Sequence, residues 1–397
     1  MVDAATLATI LIAAFASLFM AWAIGAGSSG STPFAPAVGA NAISVMRAGF
    51  LVGLLGFAGA VLQGANVSEA VGRELISGVT LSGEAAAIGL LTAATLVAIG
   101  VFTGYPIATA FTVTGAIVGV GLALGGDPAW AKYTEITTLW VLTPFIGGGI
   151  AYVTARVLRA EGMPERYTVP VLAGLIGALL ANIEFALLGP PDVGQSVART
   201  AAIAMGSPTF GGFDLGVIGT VIAFALGATL LVGRDMARDA AGAQRRFLLV
   251  LGGLVAFSAG GSQVGLAIGP LLPLLDPYDL SLTAILVGGG IGLLAGSWTG
   301  APRMIKAIAQ DYSSLGPRRS IAALIPSFAI AQAAVLFGIP VSFNEIIVSA
   351  VVGAGYAAGG GGVSKAKMGY TVLAWIGSLA LSIALGYGIM RLAFALL

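Results

Sequence analysis

The stretch Gly104–Gly126, GYPIATAFTVTGAIVGVGLALGG, recurs without a gap as Gly338–Gly360, GIPVSFNEIIVSAVVGAGYAAGG, 234 residues further along the chain. Pro106 matches Pro340, Ala116 matches Ala350, Gly119 matches Gly353, Gly121 matches Gly355, and the closing Gly125-Gly126 matches Gly359-Gly360. The same shift within one residue carries Ile24-Gly25-Ala26-Gly27-Ser28 onto Ala259-Gly260-Gly261-Ser262-Gln263, and Trp140 onto Trp375. Three landmarks in one order at one offset point to a duplication, even in a chain this rich in Gly and Ala.

The surroundings of the duplicated stretch say where it lives. Of 397 residues, 58% are hydrophobic and 9% charged, with 18 Lys and Arg against 17 Asp and Glu. A water-exposed globule carries roughly 25% charged residues, so the chain is a polytopic membrane protein. Its 60 glycines suit membrane helices, which approach one another through small residues. Cysteine and histidine are both absent. That removes disulfides, thiol chemistry, zinc sites, imidazole bases and the serine–histidine dyad, and no pair of intramembrane aspartates suggests an aspartyl protease. An enzyme is therefore not expected, nor is a cofactor or a metal, and a net charge of +1 gives nucleic acid no purchase. The apolar segment from Thr6 to Trp22 has no basic leader before it and reads as a retained membrane segment.

At about 30 residues per span and loop, the chain has room for about twelve crossings of the hydrocarbon core. Apolar runs fall near residues 4–24 (continuing through a Gly/Ser break to 45), 47–64, 84–101, 106–125, 136–157, 168–188, 213–233, 247–274 (also broken), 281–300, 320–338, 341–357 and 369–394. Basic residues cluster at Arg156, Arg159 and Arg166; at Arg234, Arg238, Arg245 and Arg246; at Arg303, Lys306, Arg318 and Arg319; and at Lys365 and Lys367. An even number of predicted crossings separates each cluster from the next, so all four fall on one face, the cytoplasmic one by the positive-inside rule. Loops bearing Glu69, Glu74, Asp127, Glu135, Asp192, Asp276 and Asp279 then face outward, both termini are external, and the setting is the plasma membrane.

The two copies are separated by an odd number of crossings, which makes them inverted in topology. The expected fold is all-α, with two inverted-topology repeats containing broken helices or re-entrant hairpins: residues 1–158, linking spans and a cytoplasmic loop at 159–245, and residues 246–397. That build is a secondary-transporter signature and places the substrate at the breaks, near the membrane midplane.

Residues 25–36, GAGSSGSTPFAP, hold three glycines and two prolines and cannot be helical throughout. A second break is expected over Gly260-Gly261-Ser262-Gln263 and on through Gly265, Gly269 and Pro270. Irregular backbone at such depth leaves N–H groups free inside the protein, and with hydroxyl donors beside it binds a small oxyanion without a charged side chain. Pro106 and Pro340 each open an apolar stretch, and Thr109, Thr112, Ser342 and Asn344 stand in the first turns expected there. The candidate substrate-binding residues are Gly25, Gly27, Ser28, Ser31, Thr109, Gly260, Ser262, Gln263, Ser342 and Asn344. Glu345 is the candidate for a coupling proton, because a carboxyl at membrane depth is a functional candidate by default. Glu184 also falls inside a predicted span, with Arg47 at a membrane border.

These motifs resemble the inorganic phosphate transporter (PiT) family over nearly the whole chain. Trp22 through Val38-Gly39 occupies the family's first GAND-type motif, and Phe257 through Pro270 occupies the second. Pro106-Ile107-Ala108-Thr109 and Pro340-Val341-Ser342 resemble its PvSTTH elements, and Trp140-Val141-Leu142-Thr143-Pro144 resembles its sWvlsP. The departures concentrate at the chemistry. Gly27-Ser28 and Ser262-Gln263 stand where the family has Asn-Asp, Ser31 and Leu266 where it has a later Asn. The resemblance implies phosphate or a similar tetrahedral anion, with sulfate the competitor, carried by alternating access. The lost aspartates imply that the family's sodium sites are not used and that coupling is to protons or absent. A homodimer, a passive anion channel and a non-transporting paralogue stay open as alternatives.

Overall fold

The computed structural model describes residues 4–190, 194–278, 280–357, 359 and 363–396. Asp192, Asp279 and Gly360 lie outside these described residues. The first half holds α1 (Ala4–Gly27), α2 (Ala35–Gly39), α3 (Val45–Gln63), α4 (Ala65–Arg73), α5 (Gly83–Thr103), α6 (Thr109–Ala123) and α7 (Trp130–Val157). A middle group follows, α8 (Glu165–Ala181), α9 (Val197–Ala204) and α10 (Leu215–Arg238). The second half holds α11 (Ala240–Ile268), α12 (Leu272–Leu275), α13 (Leu282–Thr299), α14 (Ala301–Asp311), α15 (Pro317–Leu336), α16 (Phe343–Tyr356) and α17 (Lys365–Leu396). Each helix from α11 to α17 begins 234 to 237 residues after its counterpart among α1 to α7. Among the described residues three antiparallel pairs of two-residue strands fasten loops; one joins Ile76–Ser77 to Asp127–Pro128.

Helices are what an apolar backbone must form in lipid, where no water is at hand to satisfy its polar groups. Among the described residues nine helices are long and apolar enough to cross a membrane, and α6 and α16 are shorter apolar ones of 15 and 14 residues. At 1.5 Å per residue these two reach only about 20 Å, so one end of each stops inside a ~30 Å hydrocarbon layer. Their beginnings are set by the sequence before them. Gly104 and Gly338 end α5 and α15 in the left-handed conformation, at φ +78° and +62°, as a C-terminal glycine does. A proline-containing segment then leads each chain inward. The sequence places the helix openings at Pro106 and Pro340; the helices open at Thr109 and Phe343 instead, leaving both prolines in the approach segments.

The halves interlock. α1 packs on α13 and α11 on α3, while α6 packs on α17 and α16 on α7. At the first of these crossings an added methyl on Gly25 would overlap the Leu293 carbonyl, and at the second one on Gly260 would overlap the Gly56 carbonyl. Both glycines were candidate substrate contacts; the structure uses them to bring two helix backbones together. α10 packs on α8 and buries only Met236 of its own residues.

Charges sort to the two ends. At one end Arg73 bridges Glu69 and Asp276, and Lys132 bridges Glu74 and Glu135. At the other, Arg318 pairs with Glu165, Arg159 lines the same cavity of about 330 Å³, and Lys367 pairs with Asp311. The 28 residues of α7 run between the ends, from Lys132 to Arg156. Arg47 is exposed in the first turn of α3, and Glu184 sits half-buried in a loop strand at the end of Arg73.

Candidate functional site

The helix α1 stops at Gly27 and the chain turns through Ser28 to Phe34 before α2 begins. One carbonyl organises the turn: Ser28 O accepts the amides of Ser31 and Thr32 and both of their hydroxyls. Ser31, a candidate anion donor, thus directs its hydroxyl into the turn. The second break is not found. α11 continues as regular helix through Gly260, Gly261, Ser262 and Gln263 to Ile268, and only Gly269–Leu271 tightens into a 3-10 turn. Glycines that looked like a helix interruption serve close packing, Gly265 against the backbone of Val67 and Ser68 as Gly260 is against Gly56.

The turn and the unbroken helix nevertheless meet. Ser28 Oγ donates to Gln263 Oε1 at 3.2 Å, Thr109 Oγ1 donates to the same oxygen at 2.8 Å and approaches Ser28 Oγ at 3.3 Å, and Gln263 Nε2 donates to Val341 O at 2.6 Å. Ser28 and Gln263 are the pair related by the 235-residue shift, so equivalent positions of the two halves touch each other. Asn344 Nδ2 adds donations to Gly27 O at 2.9 Å and Ile107 O at 2.7 Å. Ile107 and Val341 are again equivalent, each two residues before its half-helix. The starts of α6 and α16 are therefore drawn onto the end of α1 and the C-terminal part of α11. Neither helix start is capped by a side chain, so N–H groups of both first turns have no partner within the helix.

Two tryptophans hold this arrangement in place across the halves. Trp140 Nε1 donates to Pro340 O and Trp375 Nε1 to Pro106 O, each at 2.8 Å. Trp140 also stacks on Phe111, with ring centroids 3.9 Å apart. The sequence flagged both tryptophans as landmarks of the duplication; that each pins the other half's approach segment required the structure.

The site is shut. Ser28, Thr109, Ser262, Gln263 and Ser342 are wholly inaccessible, and Asn344 and Glu345 nearly so. Four buried polar atoms here have no hydrogen-bond partner: Ser262 Oγ, Ser342 Oγ, Asn344 Oδ1 and Glu345 Oε2. Native interiors seldom leave such atoms unsatisfied, and three of the four belong to consecutive or near-consecutive residues at the start of α16. Among the described residues Glu345 makes no ion pair. Thr112, by contrast, turns its hydroxyl back to Ala108 O and is ordinary helix.

An interlocked membrane bundle whose polar groups converge on a closed, charge-poor centre, with half-length helices starting there, has the build of a transporter. The model of the phosphate transporter family matches residues 24–386, and the chain belongs to that family: it is a multi-pass membrane transporter and not an enzyme. A protein of Thermococcus kodakarensis named as a phosphate permease is 26% identical, over 92% of this chain and 93% of its own. An inorganic phosphate transporter of Arabidopsis thaliana chloroplasts is 24% identical, over 90% of this chain and 68% of its own. A solved structure described as the sodium-dependent phosphate transporter superposes with a TM-score of 0.79 at 21% identity, covering 98% of this chain and all of that one. That last likeness is one of fold.

Proposed function

We propose that this protein moves inorganic phosphate by alternating access between two inverted repeats, and that it does so without sodium at the family's acidic positions. The observation that carries the reading is the closed cluster of Ser28, Thr109 and Gln263 between the starts of α6 and α16, with the unpaired Ser262, Ser342, Asn344 and Glu345 atoms beside it. Hydroxyls and helix N–H groups stabilise a small anion by direct donation and by the positive end of the helix dipole. Ser28 and Gln263 replace two carboxylates, so the centre accepts an anion with less compensating cationic charge. With α8 counted beside α6 and α16, the nine long helices make up twelve segments. The gathering of basic residues at one end supports a cytoplasmic assignment for that end and external termini in the plasma membrane.

The polar atoms left over favour phosphate above sulfate. Asn344 Oδ1 is an acceptor without a donor. Protonated phosphate carries P–OH groups that satisfy acceptors, whereas sulfate at neutral pH carries none. A buried acceptor left unpaired costs about 1–3 kcal/mol, so the discrimination is large. Glu345 takes the coupling proton in this reading, because an ionised carboxylate without an ion-pair partner at this depth costs several kcal/mol.

Uptake of radiolabelled phosphate into proteoliposomes, under separate sodium and proton gradients, tests the proposal. The expected result is uptake stimulated by a proton gradient, indifferent to sodium and poorly inhibited by sulfate. Strong sodium dependence, or sulfate competing as an equal, overturns it.

A further inference from the structure

The duplication reaches the two mouths of the protein, where it places one lysine at each. Lys132 in the first turn of α7 and Lys367 in the first turn of α17 are equivalent at the 235-residue shift. Each reaches across to the end of the short helix three helices earlier in its own half. Lys132 Nζ lies 2.9 Å from Glu74, which follows α4, and Lys367 Nζ lies 3.3 Å from Asp311, the last residue of α14. The lysine side chains are 12% and 20% exposed against 53% and 46% for their carboxylates, so the lysines are the inward members of both pairs. They stand at opposite ends, since α7 carries the chain from Lys132 to the arginines at the other face.

What lies behind each pair is the approach to the site. Lys132 lines a cavity of about 790 Å³ together with Asn66 and Gly338, and Gly338 begins the segment that leads to α16. Lys367 sits over the ring of Tyr105 at 4.3 Å, and Tyr105 begins the segment that leads to α6. The end of α14 is further tied to the start of α17 by Tyr312, whose hydroxyl lies 2.7 Å from Thr371 Oγ1 and whose carbonyl accepts the Ser364 amide.

We infer that Lys132–Glu74 and Lys367–Asp311 are a matched pair of latches, one per mouth, each joining the long helix of its half to the short amphipathic one. Both are fastened in this structure, whose centre is sealed from either side. Opening a mouth breaks its own pair and leaves the other closed. This rests on the alternating-access reading above and names the residues that enforce the alternation. Exposed ion pairs are individually weak, which suits a contact that breaks and reforms every cycle. The aromatic ring under Lys367 adds a cation–π contribution absent at Lys132, so the Lys367 latch is the firmer of the two.

The chain contains no cysteine, so Ser342→Cys supplies a single thiol at the centre. Its modification by a membrane-impermeant methanethiosulfonate is measured in sealed vesicles of either orientation. Lys132→Gln is expected to raise the rate about threefold from the face of Lys132 only. Lys367→Gln is expected to raise it about tenfold from the opposite face only. Glu74→Gln and Asp311→Asn alter the exposed partners and serve where a lysine variant does not fold; each raises the rate from the same face as its lysine. Unchanged rates, or both lysines acting on one face, overturn the latches. Labelling needs no phosphate: opposite shifts in a protein that fails to take up phosphate would sink the substrate and keep the latches, and uptake without the shifts would do the reverse.

Discussion

Residues 25–36 and 260–271 carry the same outward signs and adopt different structures. Both are rich in glycine and both present hydroxyl or amide side chains, yet α1 stops at Gly27 while α11 runs on to Ile268. The position of proline is one difference between them. Pro33 lacks an amide, its ring clashes with the carbonyl four residues back, and it pushes Thr32 away from helical geometry. In the second segment the first proline is Pro270, and α11 gives way immediately before it. Proline alone does not end a membrane helix, since Pro144, Pro170 and Pro326 lie inside α7, α8 and α15; in the first segment it stands within a run of glycine and hydroxyl residues that turns on Ser28 O, whereas in the second the glycines set how near the neighbouring helix comes.

The comparison is broken most directly at Gly260. A methyl there meets the Gly56 carbonyl, a backbone atom with no rotamer to yield, in a helix that otherwise tolerates alanine well. Gly260→Ala is expected to cost about 3 kcal/mol or more by overpacking. Thermal unfolding in detergent should show a collapse of the transition or no monodisperse protein. If the variant is as stable as the parent, α3 and α11 do not cross as closely as described, and a break at Gly260 regains its standing.

The sequence made the bundle legible, along with the spacing of its halves and the presence of apolar helices after Pro106 and Pro340, because charge scarcity and apolar runs act locally; that these two helices are half-length it did not show. It also named Ser28, Thr109, Gln263, Ser342 and Asn344, which the structure draws to one centre. It could not tell glycine as hinge from glycine as packing surface, since that depends on what lies across the crossing, residues some 200 positions away. Nor could it show that Trp140 and Trp375 each serve the opposite half, or that the Ser31 hydroxyl is consumed by its own turn. Each depends on long-range contact, where a local pattern carries no signal.

Ser28 and Gln263 sharpen the comparison at the centre itself, being equivalent positions with unequal work. Gln263→Leu keeps the volume and strands the Ser28 and Thr109 hydroxyls and the Val341 carbonyl. At about 1 kcal/mol for each lost bond, phosphate uptake should fall about 100-fold. Ser28→Ala removes one donor and leaves the Thr109–Gln263–Val341 chain intact, so a fall of only about fivefold is expected. Equal losses in the uptake assay would mean that the two halves contribute alike and that the unbroken helix confers no special role on its glutamine.

The smallest effect belongs to a glycine without a neighbour. Gly288 lies within α13, and a methyl placed on it meets nothing within 4 Å. Here the packing argument is silent and only backbone entropy remains. Alanine restricts the unfolded chain and favours the helix by about 0.5–1 kcal/mol, which in a protein of this size amounts to a rise of about one degree in the unfolding temperature. Gly288→Ala and Gly260→Ala are the same substitution in helices of the same half, and their opposite signs would isolate the facing backbone as the cause. A destabilised Gly288→Ala would instead show that α13 has a partner at this face, such as a second copy of the chain, and detergent-phase size measurements on that variant would reveal it.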